Sequence, residues 1–182
     1  MSATRFFKLT TLCVLAALLG GCAMIRQQQA QDCQQFEAKR KQINYATEYR
    51  FENNAGIKPL SRGQAIAVEY DLSVDTQRAR PCTHVMIKKE LLLARRADIA
   101  FAIEESWEFY TEDGTRITVK QENLTNQLRQ SGRYTASVPL PIPRGAPPGK
   151  YYLVSTLIAK SKAGTETLAK TSTAFDVVTS QK

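Results

Sequence analysis

Residues 64–74, which read QAIAVEYDLSV, decide the fold class because apolar side chains recur there at every second position. A period of two residues is the geometry of a β-strand, whose side chains point alternately to opposite faces of a sheet. The polar and small residues between the apolar ones predict an exposed face, so we expect a half-buried strand. The apolar positions of the predicted buried face are Ile66, Val68, Tyr70, Leu72 and Val74.

The same alternation continues through the rest of the chain. A second strand is predicted around Leu91-Leu92-Leu93, a triplet expected to be buried on both faces, with Lys89 as an exception to the apolar pattern. The segment that follows contains one strand or two, depending on whether a turn or bulge lies at Glu104-Glu105. Further strands are expected over 117–119, 134–140, 149–158, 167–173 and 174–178. Seven or eight short strands with little helix predict a β-sandwich.

The connections support this interpretation. Asp113-Gly114 lies between two β-forming runs and predicts a tight hairpin, because glycine readily adopts a positive φ. Leu124 and Leu128 are four residues apart in a polar segment, which indicates a helical turn crossing between sheets. The proline-rich stretch 139–148 is expected at a sheet edge or in a loop, because proline has no backbone N–H to donate.

The end of the chain supplies a resemblance. Pro148-Gly149-Lys150-Tyr151 leads into a strand, Ala163-Gly164 makes a turn, and Phe175-Asp176-Val177 closes the last strand. Over residues 64–178 this order is similar to immunoglobulin-like and fibronectin-like modules. The resemblance implies a mainly β, immunoglobulin-like antiparallel β-sandwich, without the cysteine pair that joins the sheets of antibody domains, and it licenses no function.

The N-terminus indicates export. Arg5 and Lys8 precede a short apolar run that ends in Leu19-Gly20-Gly21-Cys22. The run is shorter than the roughly 20 residues that span a bilayer, and a charged start, an apolar core and small residues mark a signal peptide. The motif resembles the lipobox of bacterial lipoprotein precursors. The resemblance implies that residues 1–21 are removed and that Cys22 is lipidated; the alternative is an ordinary secretory signal with a chance cysteine.

The lipoprotein resemblance also implies a location. Ala23, rather than aspartate, follows the cysteine, which in that family favours the outer membrane, with the folded part facing the periplasm or displayed outside. The lipid on Cys22 would be the contact with the membrane. Residues 22–58 are expected to form a short helix or tether, and residues 59–182 the β-sandwich domain.

The remaining cysteines fit an exported protein. Cys33 and Cys82 form an even pair in an oxidising compartment, so we expect a disulfide between them. His84 is the only histidine, and one imidazole beside two thiols is a thin ligand set for zinc. We therefore predict no metal and no cofactor apart from the covalent lipid.

The net charge excludes few classes of function. The formal net charge is +8, and loss of Arg5 and Lys8 with the signal lowers it to +6. The basic residues are scattered along the chain, which is typical of a solvated surface. Export argues against nucleic acid as a partner, whereas a glycan or an anionic cell-wall polymer fits the compartment.

Catalytic motifs are lacking. There is no Gly-x-Ser-x-Gly elbow and no phosphate-binding glycine loop. A local acidic cluster suggests paired carboxylates of the kind used in glycoside hydrolysis, but a solvated face is the simpler interpretation. We predict that the protein is not an enzyme. The cluster consists of Glu104, Glu105, Glu108, Glu112 and Asp113.

Two aromatic residues are candidate contacts. Trp107 is interpreted either as a core residue or as a platform for stacking a sugar, and Tyr134 opens the strand 134–140, whose edge is a candidate for pairing with a partner strand. The sequence thus favours a non-catalytic interaction or scaffold module of a cell-envelope assembly or secretion machine. The alternative is a lipoprotein that binds a glycan or an anionic cell-wall polymer.

Overall fold

A computed structural model describes residues 28, 30–43, 45–162 and 164–179. The predicted signal, Cys22 and Ala23 lie outside the described residues. The chain divides into two units, Met1–Ile43 and Asn44–Lys182.

The first unit contains a helix over 30–40 within its described residues. Arg40 and Glu37 form an ion pair of 2.7 Å on this helix. Among all described residues, no helix is both long and apolar enough to cross a membrane.

The second unit is a β-sandwich, as the sequence predicted. Its described residues form nine strands in two sheets, and two of the strands are short: β1 (Arg50–Asn53) and β3 (Arg78–Ala79). β1 already belongs to a sheet and lies ahead of the predicted domain start at 59. The longer strands are β2 (Ala65–Val74), β4 (Thr83–Arg95), β5 (Ala102–Thr111), β6 (Arg116–Asn123), β7 (Gly132–Ile142), β8 (Gly149–Ser161) and β9 (Gly164–Val177).

The two sheets have different edges. Sheet A has the order β1-β7-β4-β2, and sheet B has the order β3-β9-β8-β5-β6. Neighbouring strands are antiparallel, except that β3 runs parallel to β9. Consequently β1, β2, β3 and β6 each have one side without a partner strand among the described residues.

Two apolar clusters fill the space between the sheets. We call the cluster that includes Leu91, Ile103 and Leu157 the upper core. We call the cluster that includes Ile87 and Trp107 the lower core. Both consist of alternate residues of facing strands, which is the pattern expected of a sandwich.

The buried face predicted for β2 is wrong at the N-terminal end of the strand. Val68 has no partner in β4, because Ala67 pairs with Leu93 and Glu69 pairs with Leu92. This extra residue is a β-bulge, and it reverses the faces on its N-terminal side. Ile66 and Val68 are therefore exposed, and Ala65 is buried in their place.

The predicted hairpin and helical turn are confirmed, whereas the two strands expected over 167–173 and 174–178 form the single strand β9. β5 is continuous through Glu104-Glu105, so no turn divides it. Gly114 has a φ of +82° in the hairpin that joins β5 to β6. The helical turn between the sheets is present, since Leu128 N–H donates to the Leu124 carbonyl at 3.0 Å and both side chains are buried.

Candidate functional site

The disulfide that the sequence predicted between Cys33 and Cys82 is present. His84, two residues further on, is exposed, and its Nε2 lies 3.5 Å from the Tyr45 hydroxyl. Within the described ranges, no group of three or more histidine, cysteine or acidic residues could hold a metal ion.

The two predicted contact residues are both buried. The side chain of Trp107 is 2% exposed and lies in the lower core. Tyr134 is 1% exposed, and its hydroxyl donates to the Gln130 carbonyl at 2.8 Å while its ring packs edge-on against Phe51. Neither side chain lies at a surface where a ligand could reach it, so contacts must be sought elsewhere.

The acidic cluster divides between the two faces of β5 and the hairpin after it, which contains Glu112 and Asp113. Glu104 and Glu108 lie on the outer face and pair with Lys160 at 2.6 Å and Arg116 at 3.3 Å. Glu105 points inward and is fully buried. The carboxylates on the outer face are thus partnered by cations, in keeping with the solvated-face interpretation.

A buried polar network separates the upper core from the lower core. Both Glu105 oxygens accept from the Lys89 ammonium at 2.6 Å, and Ser155 donates to the same carboxylate at 2.6 Å. The Tyr70 hydroxyl also donates to Glu105. Lys89, the exception to the apolar pattern, lies 3.7 Å from the centre of the Trp107 ring, a cation–π geometry.

Burial and the Glu105 charge act in opposite directions on the pKa of Lys89 but in the same direction on the pKa of Tyr70. Burial lowers the pKa of Lys89 to about 8, although the neighbouring Glu105 carboxylate raises it. Burial raises the pKa of Tyr70 well above its usual value, and Glu105 adds to that rise. All four side chains are buried, so the network connects β2, β4, β5 and β8 inside the sandwich.

Residues 45–49, which we call the strap, are hydrogen-bonded to Lys120 and Glu122 of β6 and to Gln127 in the turn that follows β6. The backbone N–H of Thr47 donates to Glu122 at 2.7 Å, and the side-chain amide of Gln127 binds the backbone of both Thr47 and Tyr49. Burial raises the pKa of Glu122, but the hydrogen bonds from Thr47 and Lys120 outweigh it and hold the pKa below its usual value. The strap therefore meets a charged carboxylate at neutral pH.

An apolar groove of about 290 Å³ opens beside the lower core, where it lies between β6 and the segment that follows β7. Phe109, Tyr151 and Phe175 line it, and the last two rings are stacked 5.9 Å apart. Ile117 and Thr118 of β6 also line it. This apolar surface is the best-formed candidate for a binding site among the described residues.

The wall formed by the segment after β7 is held rigidly. The Tyr151 hydroxyl donates to the Pro147 carbonyl at 2.7 Å, and Ala146 N–H donates to the Pro143 carbonyl at 3.1 Å. Proline fixes φ and reduces the freedom of the chain. A rigid wall loses little entropy on binding, which favours recognition.

The lower half of β6, residues 117–119, is a free strand edge beside this groove. Ile117 is 52% exposed and Val119 is 44% exposed. In the upper half of β6, Lys120 and Glu122 turn inward to the strap, and inward charges protect an edge from pairing. Only the lower half combines unpaired backbone groups with apolar side chains.

The remaining edges are less suited to accept a strand. β1 and β3 are short, and β2 carries the bulge at Val68 near its middle, whereas the register shift of β6 falls near its start, where Ile117 lies between the pairs Arg116–Tyr110 and Thr118–Phe109. The edge predicted over 134–140 is covered at its start, where β1 pairs with Arg133, Tyr134 and Thr135. Further along, Pro139 and Pro141 remove two donors. The sequence therefore pointed to β7, and sequence reasoning missed β6, whose only signal was the apolar pair Ile117 and Val119.

Comparisons with known proteins give architecture only. No family model matches the chain, and no curated protein matches it. The C-terminal domain of Wzt is 12% identical, with a TM-score of 0.47 over 76% of this chain and 81% of that one. An immunoglobulin-like protein from Pseudomonas aeruginosa is 14% identical, with a TM-score of 0.35 over 65% and 99% of the two chains. A β-glucuronidase from Parabacteroides merdae is 14% identical, with a TM-score of 0.38; the match covers 63% of this chain and 13% of the enzyme.

Proposed function

We propose that the chain is a lipid-anchored protein of the bacterial outer membrane whose β-sandwich is a non-catalytic interaction module of a cell-envelope assembly or secretion machine. The anchor confines the module to the membrane plane and raises its effective concentration near a partner. No resident cofactor is needed for this role. The surface that carries the proposal is the free edge of β6 beside the apolar groove.

This surface has the two elements of strand addition. An exposed edge supplies backbone hydrogen bonds for an extended partner segment, and an adjacent pocket selects its side chains. Ile117 lies at the junction of the two, since it belongs to β6 and also lines the groove. Proteins normally protect such an edge, and an apolar edge left open is typical of a docking site.

The test is site-specific crosslinking in cells. A photo-reactive amino acid at Val119 should capture a discrete protein partner in stoichiometric yield. The matched control is the same substitution at Val68, a slightly more exposed valine on the edge strand β2, which should capture little. Equal capture at both sites, or none at Val119, would contradict the proposal.

The anchor has its own test. In the lipobox interpretation Cys22 carries acyl chains, and each buried methylene contributes about 0.8 kcal/mol to membrane binding. Cys22→Ala should therefore release the protein from the membrane fraction. Membrane fractionation that is unchanged in this variant would refute lipidation at Cys22.

A second candidate function is glycan binding, as the sequence left open, but at a different place from Trp107. Tyr110 and Tyr152 are paired across β5 and β8 on the outer face of sheet B, and Tyr152 is exposed. The Tyr110 hydroxyl donates to Glu108 at 3.1 Å. An exposed aromatic ring beside a carboxylate suits a sugar ring and its hydroxyl groups. Retention of the purified protein on peptidoglycan or lipopolysaccharide, lost in Tyr152→Ala, would favour this function.

A further inference from the structure

We infer that the Cys33–Cys82 disulfide suspends the β-sandwich from the membrane by the end that carries the groove, so that the groove and the lower half of β6 face the bilayer at short range. The inference rests on the lipid anchor and the interaction role proposed above, and it adds where that interaction takes place. Two features carry it: the point at which the disulfide joins the sandwich, and the length of chain between this bond and the anchor.

The disulfide joins the sandwich beside the groove. Cys82 directly precedes β4, and its backbone N–H donates to the Ile142 carbonyl at 2.8 Å. Ile142 lines the groove and pairs with Thr83 at the start of β4. We call this the lower end of the sandwich, and the upper end is where β4 finishes at Arg95. At about 3.3 Å per residue, the 13 residues of β4 place the two ends about 40 Å apart.

The chain itself also enters the sandwich from the lower half. The Tyr45 hydroxyl lies 3.5 Å from Nε2 of His84, the second residue of β4. The strap then leads to β1, where Arg50 pairs with Thr135, and Thr135 in turn pairs with Glu90 farther along β4. Both covalent routes from the anchor therefore reach the lower half of the sandwich first.

The route through the disulfide is short. Cys33 follows Cys22 by only eleven positions, and residues 30–33 already belong to the helix. An extended chain advances at most about 3.6 Å per residue, a helix advances about 1.5 Å, and a disulfide separates its Cα atoms by at most about 7 Å. The anchor can therefore be no more than about 40 Å from Cys82. Without the bond, the route through the helix to Tyr45 reaches about 60 Å.

This length disfavours an inverted sandwich. With the upper end on the membrane, Cys82 would stand about 40 Å from the bilayer, and the tether would have to be fully extended. Holding a chain at full extension costs conformational entropy. With the lower end toward the membrane, no such cost arises. The disulfide therefore selects the orientation in which the groove faces the bilayer.

The orientation limits where the proposed interaction occurs. Ile142, which accepts the hydrogen bond from Cys82, lines the groove together with Ile117 of β6. The docking surface is thus held in the layer next to the membrane, and a partner must present its binding segment there. A protein anchored or embedded in the same membrane meets this requirement, a second copy of the chain included, and confinement to one plane raises the effective concentration of both.

The test measures energy transfer from the full-length lipidated protein, reconstituted in lipid nanodiscs, to acceptor dyes on the lipid headgroups. A fluorescent amino acid replaces either Lys150, which is exposed at the start of β8 at the lower end, or Ala97, which is exposed just beyond β4 at the upper end. We expect transfer from position 150 to be at least about twofold more efficient, because the two ends are about 40 Å apart. Equal transfer, or more efficient transfer from position 97, would overturn the inference.

Variants of the tether test the cause. Cys33→Ser/Cys82→Ser leaves only the longer route, so the difference between the two positions should shrink toward none. Ten glycine and serine residues inserted after Ala23 lengthen the short route while the disulfide stays in place, so they should have the same effect in a protein that keeps its bond. The matched control inserts the same ten residues after Gln42, which lies between Cys33 and the strap and leaves the short route unchanged. A difference that survives the insertion after Ala23, or that is lost with the control, would overturn the inference.

These outcomes are distinct from those that test the proposed function. A protein that fails to associate with the nanodiscs would contradict the lipid anchor, and this inference with it. If the anchor holds but the two positions give equal transfer, only the orientation is refuted, and capture of a partner at Val119 would still support the interaction role.

Discussion

The ammonium of Lys89 lies 2.6 Å from both carboxylate oxygens of Glu105, and neither side chain is exposed. The pair links β4 of sheet A to β5 of sheet B in the layer between the upper and lower cores. Ser155 and Tyr70 complete the hydrogen bonding of the carboxylate. A buried ion pair is tolerated when its geometry is good and its remaining polar atoms are satisfied.

Removing one partner should be more harmful than removing both. Lys89→Met leaves the Glu105 charge buried and uncompensated, so we expect a loss of about 3–5 kcal/mol in the free energy of unfolding. The double variant Lys89→Met/Glu105→Gln should recover at least half of that loss. Trp107 is the only tryptophan and lies against Lys89, so its fluorescence during urea unfolding is a direct measurement. A double variant no more stable than the single one would contradict the expectation.

The same pair predicts a dependence of stability on pH. Burial lowers the pKa of Lys89 from 10.5 to about 8 in the folded protein. Between these values the unfolded chain binds more protons than the folded one, so the free energy of unfolding should rise with pH across this window. Below about pH 8 the cost of burying the charged form is fully present. Urea unfolding of the wild type should show this rise relative to Lys89→Met/Glu105→Gln, which shares the other titrating groups; parallel curves would refute it.

Gly132 should tolerate no side chain. Its φ is +153°, and an added Cβ would lie 2.5 Å from Cε2 of Phe51 and would also overlap the Asn53 carbonyl. Gly132→Ala should therefore cost about 1–3 kcal/mol from the backbone conformation, together with a further loss from displacing β1. Gly149→Ala is the matched control, because its φ is +144° but nothing lies within 4 Å. Thermal unfolding of the two variants should differ; equal melting temperatures would show that β1 does not confine Gly132.

The disulfide should contribute measurably to stability. Joining Cys33 to Cys82 closes a loop of about 50 residues, for which the chain-entropy model gives about 4 kcal/mol. The double variant Cys33→Ser/Cys82→Ser should lose up to this amount in urea unfolding, and a reducing agent should lower the stability of the wild type but not of the variant. Equal sensitivity of both proteins to the reductant would be inconsistent with this bond.

Several elements of the fold could be predicted because their signals are local. The Asp113-Gly114 hairpin needs only a residue that accepts a positive φ, and the turn from Leu124 to Leu128 needs only apolar residues four apart. The Leu91-Leu92-Leu93 triplet is buried on both faces, as its composition predicted. These features depend on neighbours within a few residues.

The candidate site could not be predicted in the same way. The groove combines residues of β5, β6, β8 and β9 with the segment after β7, so its existence depends on how two sheets meet. The openness of β6 depends on where the strap ends, and the closure of β7 depends on three pairings with β1. A strand pattern identifies a strand but not its neighbours.

By itself, the sequence determined the β-sandwich class, the turns and the pairing of Cys33 with Cys82. Alternation and turn residues are signals between near neighbours in the chain, and two cysteines left after the predicted lipobox form one possible pair. Only the tertiary structure decided that Val68 bulges and exposes Ile66, that Lys89 is buried against Glu105, and that β6 is left open beside a groove. The physical reason is that register, partner charge and edge exposure are relations between residues far apart in the chain, and packing of the two sheets selects them.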